Sequence, residues 1–143
     1  MINSRTLELG RQFQDTILFD LNKRGISFSN YTSKKFQYEV GENTAGIEIK
    51  HDMQFRTTGN LFIEIETKTK NNDWIKSGIF RDDNSWLFLI GDEKKYWIFG
   101  KKSLQRILTD SNLNPVLTSD SKGYLLPIKQ ADIFSERVIE NRG

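Results

Sequence analysis

A chain of 143 residues with 36% apolar and 12% aromatic content is long enough for one packed core and too apolar to stay disordered. It has no cysteine and one histidine, which excludes disulfides, thiolate metal sites and multi-histidine zinc centres. A formal charge of +2 permits a nucleic-acid partner without requiring one, and no apolar run approaches the length that crosses a membrane.

Residues 5 to 24 predict the first helix. Leu9, Phe13, Ile17 and Leu21 recur at i+4 steps, and Leu18 widens the stripe. Ser4 or Thr6 is positioned to cap its start, and Gly25 follows a Lys-Arg pair as a stop signal. ISFSNY (26 to 31), FQYEV (36 to 40), IEIKHDMQF (47 to 55) and LFIEIETK (61 to 68) then read as four strands. GENTAG and Thr58-Gly59-Asn60 supply turns, and such short connections predict an antiparallel meander.

Residues 71 to 85 are polar and read as loop or short helix. SWLFLI (85 to 90) is apolar without alternation, as in a strand covered on both faces, and KKYWIFG (94 to 100) reads as its successor. Lys102 to Leu108 predicts a short helix burying Leu104, Ile107 and Leu108. The tail carries Pro115 and Pro127 and ends in a weak helical pattern, ADIFSERVIENR. No internal repeat or linker divides the chain. The expectation is one domain over 1–143 of class α/β (α+β): an N-terminal helix, a mixed central sheet and flanking helices, with a core over about 5–108 and a C-terminal extension over 109–143. The first residues lack a signal-peptide pattern, so a cytoplasmic protein without a membrane partner is expected.

The chemistry concentrates in residues 36 to 52. Strand alternation puts Glu48, Lys50 and Asp52 on one face and Ile47 and Ile49 on the other. If FQYEV pairs back through GENTAG, Glu39 comes within reach of Glu48. Two carboxylates side by side repel unless a cation offsets them, and a divalent hard cation such as Mg²⁺ does so while keeping positions for water and phosphate oxygens. A lysine two residues on is placed to hold an attacking water or to neutralise a phosphoryl transition state. The same residues equally describe a solvated strand face with cross-strand pairs.

The order helix, Gly25-Ile26, Tyr38-Glu39-Val40, turn, Ile47-Glu48-Ile49-Lys50 resembles the PD-(D/E)XK nuclease superfamily, which includes restriction enzymes and Holliday-junction resolvases. TGNLFIE (58 to 64) and SGI (77 to 79) resemble a subgroup met in phage genomes, and the likeness covers about residues 8 to 108. The resemblance implies a restriction-endonuclease-like fold and a phage-encoded endonuclease acting on DNA in a bacterial host. Its cofactor would be Mg²⁺ or Mn²⁺, held by Glu39, Glu48 and the carbonyl of Ile49. Lys50 would assist the attacking water, with Asp52 and Glu64 as further acids near the site. It also implies a two-fold homodimer wherever both strands of a duplex are cut. The chain departs from the family at Gln14, where relatives carry a helix glutamate, at Glu39, where an aspartate is usual, and at Asn84-Ser85-Trp86, where a small residue and an acid are usual.

A second register, Asp52 with Glu66 and Lys68, fits the same acid, turn, acid-x-Lys pattern. Two other readings stand beside the enzyme: a nuclease-fold module that binds DNA or a protein without cutting, and an interaction protein with no nucleic-acid role. Lys34-Lys35, Lys94-Lys95 and Lys101-Lys102, with Arg56 and Arg81, are candidates for phosphate contacts, and Trp74 is the aromatic placed among lysines.

Overall fold

A computed structural model describes residues 4–25 and 46–141. The expected strands ISFSNY and FQYEV, and Glu39 with them, lie outside the described residues. The element order is α1 (Ser4–Lys23), β1 (Ile47–His51), α2 (Phe55–Thr58), β2 (Asn60–Lys68) and β3 (Trp74–Lys76), followed by a 3-10 turn (Gly78–Phe80). It continues with β4 (Leu87–Gly91), β5 (Lys95–Gly100), α3 (Lys101–Asp110), β6 (Val116–Leu117), β7 (Ser121–Pro127), α4 (Ile128–Phe134) and β8 (Arg137–Glu140). The class is mixed α and β, as the element order implied.

Among the described residues the strands form two four-stranded sheets, ordered β1-β4-β5-β8 and β3-β2-β7-β6. In the first sheet β1 runs parallel to β4, and the β4–β5 and β5–β8 pairs are antiparallel. The second sheet is antiparallel throughout. Layering explains the hydrophobic pattern of the first sheet. On one side Ile47, Ile49, Leu89, Tyr96, Ile98 and Ile139 pack with Phe13, Ile17 and Leu21 of α1. On the other, Phe88, Ile90, Trp97 and Phe99 share a core with Leu61, Ile63 and Ile65 of β2. A strand covered on both faces needs apolar residues at successive positions, which is why Leu87–Gly91 does not alternate.

Four expectations need correction. The meander does not continue from β1 to β2, which belong to different sheets. The strand begun at Ile47 stops at His51 because the Asp52 carboxylate captures the N–H groups of Gln54 and Phe55, turning the chain into α2. Gly59, at φ 75°, then closes α2 with its N–H on the Phe55 carbonyl, a left-handed position that glycine fills without strain. The polar stretch 71 to 85 contains β3 and the 3-10 turn. Residues 109 to 143 are no appendage: β7 is an inner strand of the second sheet, and β8 pairs with β5. The final helical pattern divides at Ser135, after which Val138 and Ile139 enter β8 opposite Trp97 and Tyr96. Among the described residues no helix is long and apolar enough to cross a membrane.

The end of α1 is tied to the first sheet by a charge-centred network. Asp20 accepts hydrogen bonds from Tyr96 Oη, Asn141 Nδ2 and Arg24 Nε. Burial pushes the Asp20 carboxyl up, but the Tyr96 and Asn141 donors and the Arg24 charge outweigh it and hold the group below its usual value. A depressed carboxyl contributes stability above its unfolded pKa and loses it as pH falls through the folded value. Asp20→Asn is therefore expected to cost about 1–3 kcal/mol at pH 7. Urea denaturation as a function of pH should show that cost shrinking below about pH 4, where the unfolded carboxyl takes up its proton.

Candidate functional site

β1 carries the charged residues of interest on the face that also holds Phe88 and Ile90 of β4, because the parallel register sets Glu48 beside Phe88 and Lys50 beside Ile90. Glu48 is buried there at 1% exposure. Lys50 Nζ lies 3.5 Å from Glu48 Oε1, and the lysine side chain remains 40% exposed. The solvated strand face is thus overturned at Glu48. A carboxylate inside this sheet loses hydration, and the ammonium above it supplies part of the compensation.

Lys50 opens onto a cleft of about 330 Å³ whose walls include Gln54, Phe62, Glu64, Phe88 and Ile90. A second groove of similar size adjoins it, with Gly10 and Gln14 of α1 facing Ile49, Lys50 and Gln54. Both grooves border the carboxyl end of a parallel strand pair, the position where α/β sheets ordinarily receive ligands. His51 sits between the grooves, stacked on Phe13 at 4.5 Å between ring centroids.

The acids expected near the site take different parts. Glu64 reaches the cleft wall, and its Oε2 accepts a hydrogen bond of 2.9 Å from Ser77 Oγ. Gly78 follows in the left-handed region at φ 54°, and a Cβ there would stand 2.2 Å from the Glu64 carbonyl oxygen. The SGI block is therefore the surface on which Glu64 rests, and the TGN block is the turn that launches the strand carrying it. Asp52 borders the cleft but spends its oxygens on the fold: Oδ1 accepts from the N–H groups of Gln54 (2.8 Å) and Phe55 (2.9 Å), and Oδ2 from that of Phe62 (3.0 Å). It joins α2 to β2 and has little capacity left for a metal. Ile49 buries its side chain toward α1, so only its main chain is available to a ligand.

The second register does not converge. Phe62, bonded to Asp52, precedes Glu66 and Lys68 by roughly 13 and 20 Å of extended strand. Glu66 pairs instead with Lys122 at 3.3 Å, and Lys68 lies over the Trp74 ring. Sequence reasoning missed Ser77 as the support of Glu64 and Gln54 as a cleft residue; the SGI block was the available signal for the first.

Among the described residues no group of three or more His, Asp or Glu side chains is arranged to hold a metal ion. The first sheet and the cleft wall do offer Glu48 and Glu64, hard oxygen donors of the kind Mg²⁺ takes one or two at a time alongside water. Comparison of the chain with protein-family models, with curated proteins and with solved structures gave no match.

Proposed function

We propose that this chain is a metal-dependent deoxyribonuclease that hydrolyses phosphodiester bonds at the cleft above Glu48. The observation that supports the reading is the pair itself: a carboxylate buried within β1, with a partly exposed lysine 3.5 Å from it that opens at the carboxyl end of the strand onto a cleft bordered by the Glu64 carboxylate. A fully buried glutamate is rare unless it is paired or coordinates a cation. Mg²⁺ or Mn²⁺ would be held by Glu48, with Glu39 and the Ile49 carbonyl carried over from the resemblance. When bound, such an ion supplies Lewis acidity and a more acidic water.

The chain's own groups have distinct tasks in this reading. Lys50 would hold the attacking water or offset charge growing on the phosphate oxygens. Glu64, fixed by Ser77, would orient water on the cleft wall. Asp52 would keep β2 against the site. The water oxygen would form a bond to phosphorus and release a proton to solvent, the bond from phosphorus to the leaving oxygen would break, and the leaving oxygen would take up a proton from solvent. Cutting both strands of a duplex would need two such sites, so a two-fold dimer follows from the same reading.

Gln14 favours a second reading, since an amide borders the groove where an acid would strengthen a metal site. In that reading the fold binds DNA or a protein without cutting. The test is incubation of supercoiled, linear, single-stranded and branched DNA with Mg²⁺ or Mn²⁺, beside a calorimetric Mn²⁺ titration of the wild type and of Glu48→Gln, which keeps the shape of the buried side chain. Cleavage of at least one substrate is expected, with saturable Mn²⁺ binding that Glu48→Gln loses. Absence of cleavage on every substrate would leave the binding module in its place.

A further inference from the structure

The groove beside the cleft differs from it in chemistry. Its volume is about 330 Å³, with Gly10 and Gln14 lining it from α1 and Lys50, Met53 and Gln54 from β1 and the segment after it. Of its lining residues Lys50 alone carries a fixed charge. Lys50, His51, Met53 and Gln54 also line the cleft, so the two depressions meet along these residues.

Gly10 has no explanation in the helix that contains it. It lies inside α1, where glycine is destabilising relative to alanine. Its φ is not in the left-handed region, and a Cβ built on it would meet no heavy atom within 4 Å beyond its own helix backbone. Neither the backbone nor the packing requires glycine there. What the missing side chain leaves open is the groove. Gln14 follows one turn later on the same helix face.

Among the described residues the side-chain amides of Gln14 and Gln54 have no hydrogen-bond partner in the protein. Each amide presents a donor beside an acceptor. A phosphate only accepts and is matched by Lys and Arg, of which the groove holds Lys50 alone. The edge of a nucleobase carries donors and acceptors in the pattern that an amide completes, that of adenine above all. Met53, 49% exposed, supplies a polarizable thioether against which an aromatic ring packs.

From this geometry we infer that the groove receives an unstacked nucleobase, adenine in preference, from the nucleotide adjoining the phosphate at Lys50, with Gln14 and Gln54 hydrogen-bonding its edge. The phosphate at Lys50 rests on the nuclease reading; the hold on the base needs no metal. A base enters such a groove only when it is out of its stack, so the substrate class of this site is single-stranded nucleic acid.

The test is anisotropy of labelled single strands of dA, dC or dT, equal in length, titrated with the full chain in EDTA. The wild type is expected to bind dA about fivefold or more tighter than dT, the discrimination typical of one bidentate base contact. Gln14→Met/Gln54→Met keeps the size and charge of the groove and should erase that preference without changing the dependence of log K on log salt. Gly10→Leu fills the groove. It should raise Tm by a few degrees, which separates lost binding from lost folding, and bring dA down to the level of dT or below. A wild type that binds no single strand or shows no base preference overturns the inference. So does a glutamine variant that keeps the preference, or a stabilised Gly10→Leu that binds dA as the wild type does. Cleavage with Mg²⁺ or Mn²⁺ separates this result from the nuclease reading. A wild type that prefers dA through the two glutamines but never cuts sinks only the nuclease. A wild type that cuts every single strand alike, with the glutamine variant unchanged, sinks only the base groove.

Discussion

Lys50→Ala is expected to lower DNA cleavage by about 10²–10⁴-fold while leaving the protein folded, the loss typical of removing a positioned proton-transfer or charge-stabilising group. The fold should survive because Lys50 is partly exposed and its strand is held by Ile47 and Ile49 against α1. Removing the ammonium leaves Glu48 buried without that neighbour, so some loss of stability accompanies the change. Lys68→Ala should behave differently. It lies at the far end of β2, outside the cleft, so its loss is expected to leave cleavage close to wild type. Single-turnover cleavage of the two variants checks the contrast. Equal losses in kcat would remove Lys50 from its special place.

The largest effect on stability is expected at Lys101, far from this chemistry. Its side chain is 5% exposed and donates to the Arg81 carbonyl (2.6 Å) and to Asp83 Oδ1 (2.9 Å). Asp83 is itself fully enclosed. Burial alone would raise the Asp83 carboxyl, but the hydrogen bonds from Lys101 and Ser85 and the Lys101 charge together hold it below its usual value. Lys101→Ala would leave that charge in the interior with Arg81 Nε at 3.4 Å as its remaining cation. Breaking a buried pair on one side costs about 3 kcal/mol or more, on the order of 10 °C in Tm for a chain of this size. Lys101→Met with Asp83→Asn removes both charges while keeping an acceptor for the Ser85 N–H. It should recover most of the loss in thermal denaturation. If the double variant is as unstable as the single one, packing of the lysine stem rather than charge holds the loop before β4.

Local periodicity carried much of the architecture. The i+4 stripe of Phe13, Ile17 and Leu21 is a property of one helix, and it predicted the face that packs on the first sheet. The alternation of Ile47, Glu48, Ile49 and Lys50 is a property of one strand, and it put Glu48 and Lys50 together. The unbroken apolar run at Leu87–Gly91 signalled a strand covered twice. The helix expected over Lys102 to Leu108 from its own spacing runs Lys101–Asp110, with Leu104 and Leu108 buried and Ile107 partly so.

What lay beyond local pattern was decided by contacts between residues far apart in the chain. The short turn after β1 argued for an antiparallel pairing with β2, yet among the described residues β1 pairs with β4, some forty residues on and parallel, and Asp52 satisfies three backbone donors by starting α2 instead of closing a hairpin. Alternation placed Glu48 on a polar face, but only the packing of Phe88 and Ile90 beside β1, next to the second sheet, decided that the face is interior at Glu48 and open at Lys50. The same distance rule separates Asp52 from Glu66 and Lys68, which share a pattern on paper and no cleft in space. A side chain's direction is set within two residues of backbone, whereas its solvation is set by whatever the rest of the chain brings against it.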